Sequence, residues 1–147
     1  MKLEDQIQTL KPLVRGPVIE PLDAGYDQAR KVYNAMIDKR PRLIVQCADA
    51  ADVIACVRFA RETGIVTAIR GGGHNGAGLG TCDDGVVIDL SRMHGVRVDP
   101  ASRTVRAEAG CRQGDVEHAA HAFGLAVPAG IISTTGVAGL TLGGGHG

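Results

Sequence analysis

The sequence predicts an α+β fold, with a small parallel β-α-β unit followed by an antiparallel hairpin. Two patterns predict it. Short apolar, largely β-branched runs at 43–45, 65–69 and 86–90 flank a helical stretch, and a two-residue alternation runs through Thr104 to Glu108, the second arm of a hairpin that begins at Val96. A third observation concerns use rather than fold. The 147 residues include 21 glycines, six within 71–80 and seven within 130–147. Usual glycine content is about 7%, so clustering of this kind marks two loops where backbone approaches a ligand.

The elements follow in order. Residues 1–40 read as a helical lead-in broken by turns. Arg15 to Gly25 holds Pro17 and Pro21 and reads as a loop, and Tyr26 to Asp38 carries apolar residues at helical spacing until Pro41 stops it. The second unit, 41–147, begins with Leu43-Ile44-Val45 as a buried strand. Asp49 is the N-cap of a helix whose apolar face is Val53, Ile54, Val57 and Ala60, and Gly64 ends it. Ile65 to Ile69 is the next strand, parallel to the first as a strand–helix–strand connection requires. Val86 to Leu90 is the third. Val96–Asp99 and Thr104–Glu108 form a hairpin around Pro100-Ala101-Ser102. A helix over about 113–123 shows Val116, Ala119, Ala120 and Phe123 on one face, closed by Gly124, and Leu125 to Pro128 reads as a short strand.

Composition excludes several functions. Lys+Arg and Asp+Glu are both 16, so the chain lacks the basic excess of an electrostatic nucleic-acid binder. The apolar runs are too short for a membrane-spanning helix. Glu4 and Asp5 stand where a secretion signal needs apolar residues. Cys47, Cys56, Cys82 and Cys111 are widely spaced with no C-x-x-C, which reads as four reduced thiols of a cytoplasmic protein. With no Trp and only four Tyr and Phe, the core is built from Val, Ile, Leu and Ala.

The first glycine block, Arg70-Gly71-Gly72-Gly73-His74-Asn75-Gly76-Ala77-Gly78, formally contains G-x-G-x-x-G. It lacks the helix that a dinucleotide fingerprint needs directly after the glycines, since Asp83, Asp84, Gly85 and a strand follow. It is not a P-loop, having no G-K-[ST]. Consecutive glycines between strands can instead turn several N–H groups toward an anion such as pyrophosphate, with Arg70 adding charge. The second block, Pro128 to Gly147, mixes glycines with small hydroxyl residues and is too apolar at Ile131, Ile132, Val137, Leu140 and Leu142 for a solvated linker.

These motifs together resemble a known family. Arg70-Gly-Gly-Gly-His74-Asn75, Val86-Val-Ile-Asp-Leu-Ser91, Glu108-Ala-Gly110 and Ser133 to Gly145 occur in the order found in the FAD-binding (PCMH-type) domain of the vanillyl-alcohol oxidase / p-cresol methylhydroxylase superfamily. The nearest resemblance is to bacterial berberine-bridge-enzyme-like oxidases, over about 26–147. It implies two α+β subdomains, one around a small parallel sheet and one mainly antiparallel. It implies FAD, with the 71–78 loop around the pyrophosphate and His74 bonded covalently to the flavin 8α-methyl. The cofactor-binding residues it assigns are Arg70, Gly71, Gly72, Gly73, His74, Asn75, Gly78, Pro128, Gly130, Ser133, Thr134, Gly136, Val137, Gly139, Leu140 and Gly144. Members with a second flavin link carry a Cys in G-x-C before the glycine run. Here Ile132 holds that place in Gly130-Ile131-Ile132, so attachment through His74 alone is expected.

In the parent family a small organic substrate gives a hydride to flavin N5 and O2 reoxidises the flavin. Family members run to several hundred residues, so the chain reads as an N-terminal fragment without the substrate domain, and no catalytic residue is assigned. Alternatives are a remnant that binds FAD weakly or not at all, a module that self-associates through its C-terminal segment, and the nicotinamide-using reductase branch with non-covalent flavin. No metal is expected. His118 and His121 lie off the apolar helix face, His94 reads as a turn residue, and His146 reads as site-lining without assigned chemistry. Cys82, beside Asp83 and Asp84, is expected to be a poor nucleophile because its acidic neighbours disfavour the thiolate.

Overall fold

The computed structural model describes residues 3–145. Helix α1 (Leu3–Leu10) and a 3-10 turn (Lys11–Leu13) precede strand β1 (Val18–Ile19) and the single turn α2 (Tyr26–Ala29). Then come β2 (Leu43–Gln46), α3 (Ala50–Thr63), β3 (Thr67–Arg70) and β4 (Val86–Asp89). The hairpin β5 (Val96–Asp99) and β6 (Thr104–Ala107), helix α4 (Gln113–His121) and helix α5 (Val137–Gly143) complete the chain. The expected α+β class holds. One four-stranded sheet runs β1-β2-β4-β3, and β5-β6 forms a separate antiparallel pair. β2 and β3 both run parallel to β4, which lies between them, and β1 joins the edge antiparallel.

Strands buried on both faces explain the continuous apolar runs. Leu43, Val45, Val86 and Ile88 point to one face and pack with Ile7, Leu10, Cys56 and Phe59. Ile44 and Val87 point to the other, against Tyr26, Ala68 and Cys82. Tyr26 seals that side, its hydroxyl donating to the Pro41 carbonyl at 2.6 Å. Asp49 caps α3, accepting from Ala51 and Asp52 N–H, and Gly64 ends it in the left-handed region at φ 67°.

Several expectations are corrected. The helix expected over 26–38 stops at Ala29, because the chain beyond turns its donors toward a neighbouring loop: Tyr33 N–H donates to the Gly73 carbonyl at 3.0 Å. The buried stripe of α3 is Asp52, Cys56 and Phe59, while Ile54 and Val57 are exposed. Asp52 is inside because its carboxylate accepts from Arg15, Gly16 and Ala48 N–H at 2.8–2.9 Å. That anchoring brings the preceding loop close enough for β1 to pair, in a stretch read as plain loop. The strand expected at 65–69 starts later, at Thr67. No strand forms over Leu125–Pro128. Leu125 N–H turns back to the Ala120 carbonyl at 3.2 Å to close α4. Phe123, expected on the buried face of that helix, is exposed. Among the described residues no helix is long and apolar enough to cross a membrane.

Candidate functional site

The site grows from the C-terminal ends of β3 and β4, where loops in sheets of this kind meet ligands. Arg70 and Asp89 stand opposite each other in register. Their side chains are 7% and 3% exposed and paired at 2.9 Å. The same guanidinium donates to the Ala29 carbonyl at 2.6 Å and the Lys31 carbonyl at 3.3 Å. Arg70 therefore lines the site, but its charge is engaged by Asp89 rather than turned outward as the sequence suggested. A buried pair of this kind is sensitive to loss of either partner.

Residues 71–80 leave β3 as a loop tied to the lead-in. Tyr33 N–H holds the Gly73 carbonyl, Asn34 Nδ2 the Gly76 carbonyl at 2.9 Å and Lys39 Nζ the Gly78 carbonyl at 3.1 Å. Gly73, at φ 69°, sits in the left-handed region that glycine tolerates. Gly72 lies flat against the second glycine segment, where a Cβ would overlap the Gly136 backbone. The N–H groups of Gly71, Gly72, Gly73 and His74 find no acceptor among the described residues. Donors of a glycine-rich loop that lack protein acceptors are what an anion nest needs. No helix follows the loop, as the fingerprint reading required.

His74 is held on two sides. Its Nε2 is 3.1 Å from Thr134 Oγ1. Its ring stacks on Tyr33 with centroids 4.0 Å apart and planes 19° from parallel. Thr134 reaches it because the second segment is pinned to the start of α4. Gln113 N–H donates to the Thr135 carbonyl, Gly114 N–H to the Ser133 carbonyl, and Val137 N–H to the Cys111 carbonyl, each at 2.9 Å. Beyond Gly136 the segment is helical, as α5, despite two glycines inside it.

Two open grooves share this loop. One, of ≈ 350 Å³, runs between residues 70–75 and α5 and gathers Arg70, Gly71, Gly72, Gly73, His74, Asn75, Gly136, Gly139, Leu140 and Gly144. The other, of ≈ 640 Å³, lies on the lead-in side and adds Thr134. Gly78, Pro128, Gly130, Ser133 and Val137 line neither. Gly78 is a buried turn residue at φ 72°, and Ser133 and Val137 act through backbone bonds to α4 and its approach. His146 lies outside the described residues. Residues that sequence reading did not place here are Tyr33, Lys31, Gln46, Asp89, Ser91, Arg112 and Thr135. Among these, Asp89 carried a signal, as the charged residue in the otherwise apolar run Val86 to Leu90.

The remaining candidates stand apart. His94, His118 and His121 are exposed. All four cysteines are free and buried. Burial, more than its acidic neighbours, pushes the Cys82 thiol up, and Asp83 adds a smaller push in the same direction.

Comparison with known proteins places this geometry. A family described as FAD binding domain matches residues 41–147. The (R)-6-hydroxynicotine oxidase of Paenarthrobacter nicotinovorans is 38% identical over 134 residues, covering 91% of this chain and 29% of that protein. The crystal structure of 6-hydroxy-D-nicotine oxidase from Arthrobacter nicotinovorans superposes with a TM-score of 0.84 at 37% identity, covering 86% of this chain and 28% of that one. Wild-type BBE-like 1 of Physcomitrella patens gives a TM-score of 0.84 at 28% identity, covering 97% and 30%. The chain thus spans under a third of the length of these relatives.

Proposed function

The chain belongs to the FAD-binding domain family, as a PCMH-type domain of the vanillyl-alcohol oxidase and berberine-bridge-enzyme-like superfamily, and from that premise we propose that it holds FAD at the 71–80 loop as part of a flavin-dependent oxidoreductase. One observation carries the reading. Four successive N–H groups, Gly71 to His74, stand without protein acceptors beside the two grooves. A diphosphate, with several acceptor oxygens on adjacent phosphorus atoms, suits that donor set. Arg70 does not compete for it, since Asp89 and two carbonyls engage the guanidinium.

His74 carries a covalent link to the flavin 8α-methyl. Support comes from its place at the mouth of both grooves, braced by Tyr33 and Thr134. Ile132 holds the position where a second link would need cysteine, so His74 is the single attachment. Gly136, Gly139, Leu140 and Gly144 offer a small, largely apolar wall to the ribityl chain and ring. FAD held at this loop would supply the redox chemistry for oxidising a small organic substrate by hydride transfer to N5, with O2 as the acceptor. The chain's own residues contribute grip, ring placement and exclusion of water from one wall. The four buried free thiols support a cytoplasmic setting.

A second reading rests on a separate observation. Ile131 is 96% and Leu142 87% exposed. Such side chains favour association of two copies through this segment, which sedimentation of the purified chain would reveal as a concentration-dependent dimer.

Denaturing intact-mass measurement with an absorbance spectrum tests the flavin link. The expected result is a yellow protein heavier by one FAD, with the added mass lost in His74→Ala. A wild-type chain at its sequence mass after incubation with FAD contradicts the link.

A further inference from the structure

We propose that Tyr33 is a positioning residue for His74, setting the plane in which the imidazole meets the ligand grooves. The proposal rests on the reading that His74 carries the flavin link. The first observation is the stack itself, 4.0 Å between centroids at 19°. The second is how Tyr33 comes to be there. Its own N–H is bonded to the Gly73 carbonyl and the neighbouring Asn34 side chain to the Gly76 carbonyl, on either side of residue 74. Upstream, Arg70 holds the Ala29 and Lys31 carbonyls. The segment 29–34 is therefore laid along the loop, and its one aromatic ring falls on the imidazole. The third is the opposite constraint, from His74 Nε2 to Thr134 Oγ1 at 3.1 Å. A ring face and a hydroxyl from two separate segments fix both the tilt and the rotation of the imidazole.

Tyr33 has no competing role in the core. It is 67% exposed and packs in neither core cluster of the described residues. The ring face is what matters, so phenylalanine should serve and leucine should not. Displacing a reacting group by about 1 Å can cost on the order of 100-fold in rate, so a loosened imidazole should show first in attachment.

The test uses the full chain as wild type, Tyr33→Phe and Tyr33→Leu. Ring-proton NMR of the flavin-free protein reports the stack as an upfield shift of one histidine, identified by its disappearance in His74→Gln. Denaturing mass reports how fast FAD becomes covalently attached. Wild type and Tyr33→Phe should share the upfield shift and the attachment rate, whereas Tyr33→Leu should lose the shift and attach about ten-fold more slowly. Unchanged shift and rate in Tyr33→Leu overturn the proposal, as does loss of both in Tyr33→Phe. If the wild type attaches no FAD, the His74 link fails by itself. The ring-proton shift then decides the role of Tyr33, and its absence in wild type overturns that role.

Discussion

The two glycine segments meet at Gly72 and Gly136 but are held in different ways. The first is pinned from outside by Tyr33, Asn34 and Lys39, and from beneath by the buried Arg70–Asp89 pair. Among the described residues the second is pinned at its middle, where Ser133, Thr135 and Val137 bond to the start of α4 and its approach. On either side of that middle, Ile131 and Leu142 face solvent. In the first segment the Gly73, Gly76 and Gly78 carbonyls accept from protein donors, while the N–H groups of Gly71 to His74 have no protein acceptor among the described residues. The second contributes surface and one hydroxyl, Thr134, and draws its position from the start of α4. Preorganised donors bind charge without the cost of ordering at the moment of contact.

Removing the support beneath the first loop is the most disruptive way to break this contrast. Asp89→Ala leaves the Arg70 guanidinium buried against carbonyls alone, and should cost about 3–5 kcal/mol in urea unfolding. A cost under about 1 kcal/mol would mean the pair does not hold the loop. Next is the seam between the segments. In Gly72→Val the new side chain must push the Gly136 backbone away. Overpacking of this kind costs about 1–3 kcal/mol, and FAD affinity should fall roughly 10- to 100-fold by equilibrium dialysis. Unchanged affinity would show that the two segments need not touch for the ligand to bind.

Acid sharpens the comparison by loosening the loop at Arg15 and Gly16 that precedes the strap. Burial of Asp52 raises its pKa, but N–H bonds from Ala48, Arg15 and Gly16, with the nearby Arg15 charge, outweigh it, and the carboxyl titrates below its ordinary value. Its folded pKa is depressed, so its stabilisation is complete above the unfolded value of about 4 and is lost as pH falls through the folded one. The melting temperature should drop below about pH 4, and Asp52→Asn should flatten that limb while lowering stability at neutral pH. An acid limb identical in both proteins would place the titration elsewhere. The smallest effect belongs to the second segment. Ile131→Ser should change stability by less than about 0.5 kcal/mol in thermal unfolding, and should weaken any dimer formed through this segment.

Most of the sheet was legible because burial on both faces leaves runs such as Val86-Val87-Ile88, and the hairpin because alternation survives in Val96 to Ala107. What failed was set by tertiary contacts. The two residues of β1 carry no period. The helical spacing of 26–38 lost to the bond from Tyr33 to Gly73. Asp52 hid the buried stripe of α3, since a carboxylate reads as a surface residue until its three N–H partners are known. At the site, the glycine loop stood out from local chemistry, and His74 was singled out by the family resemblance. Tyr33 was not, because its partner lies 41 positions along the chain and exposed aromatics have no pattern of their own.

The most direct test of the central claim compares FAD with riboflavin in an equilibrium titration of the flavin-free His74→Gln chain, in which no covalent link can form, followed by flavin fluorescence. The two share the isoalloxazine and ribityl groups, and only FAD carries the diphosphate and adenosine. Grip by the N–H groups of residues 71–74 predicts one FAD per chain, bound at least about 100-fold more tightly than riboflavin, equivalent to roughly 2.7 kcal/mol. Equal affinity for the two, or binding of neither, would contradict it.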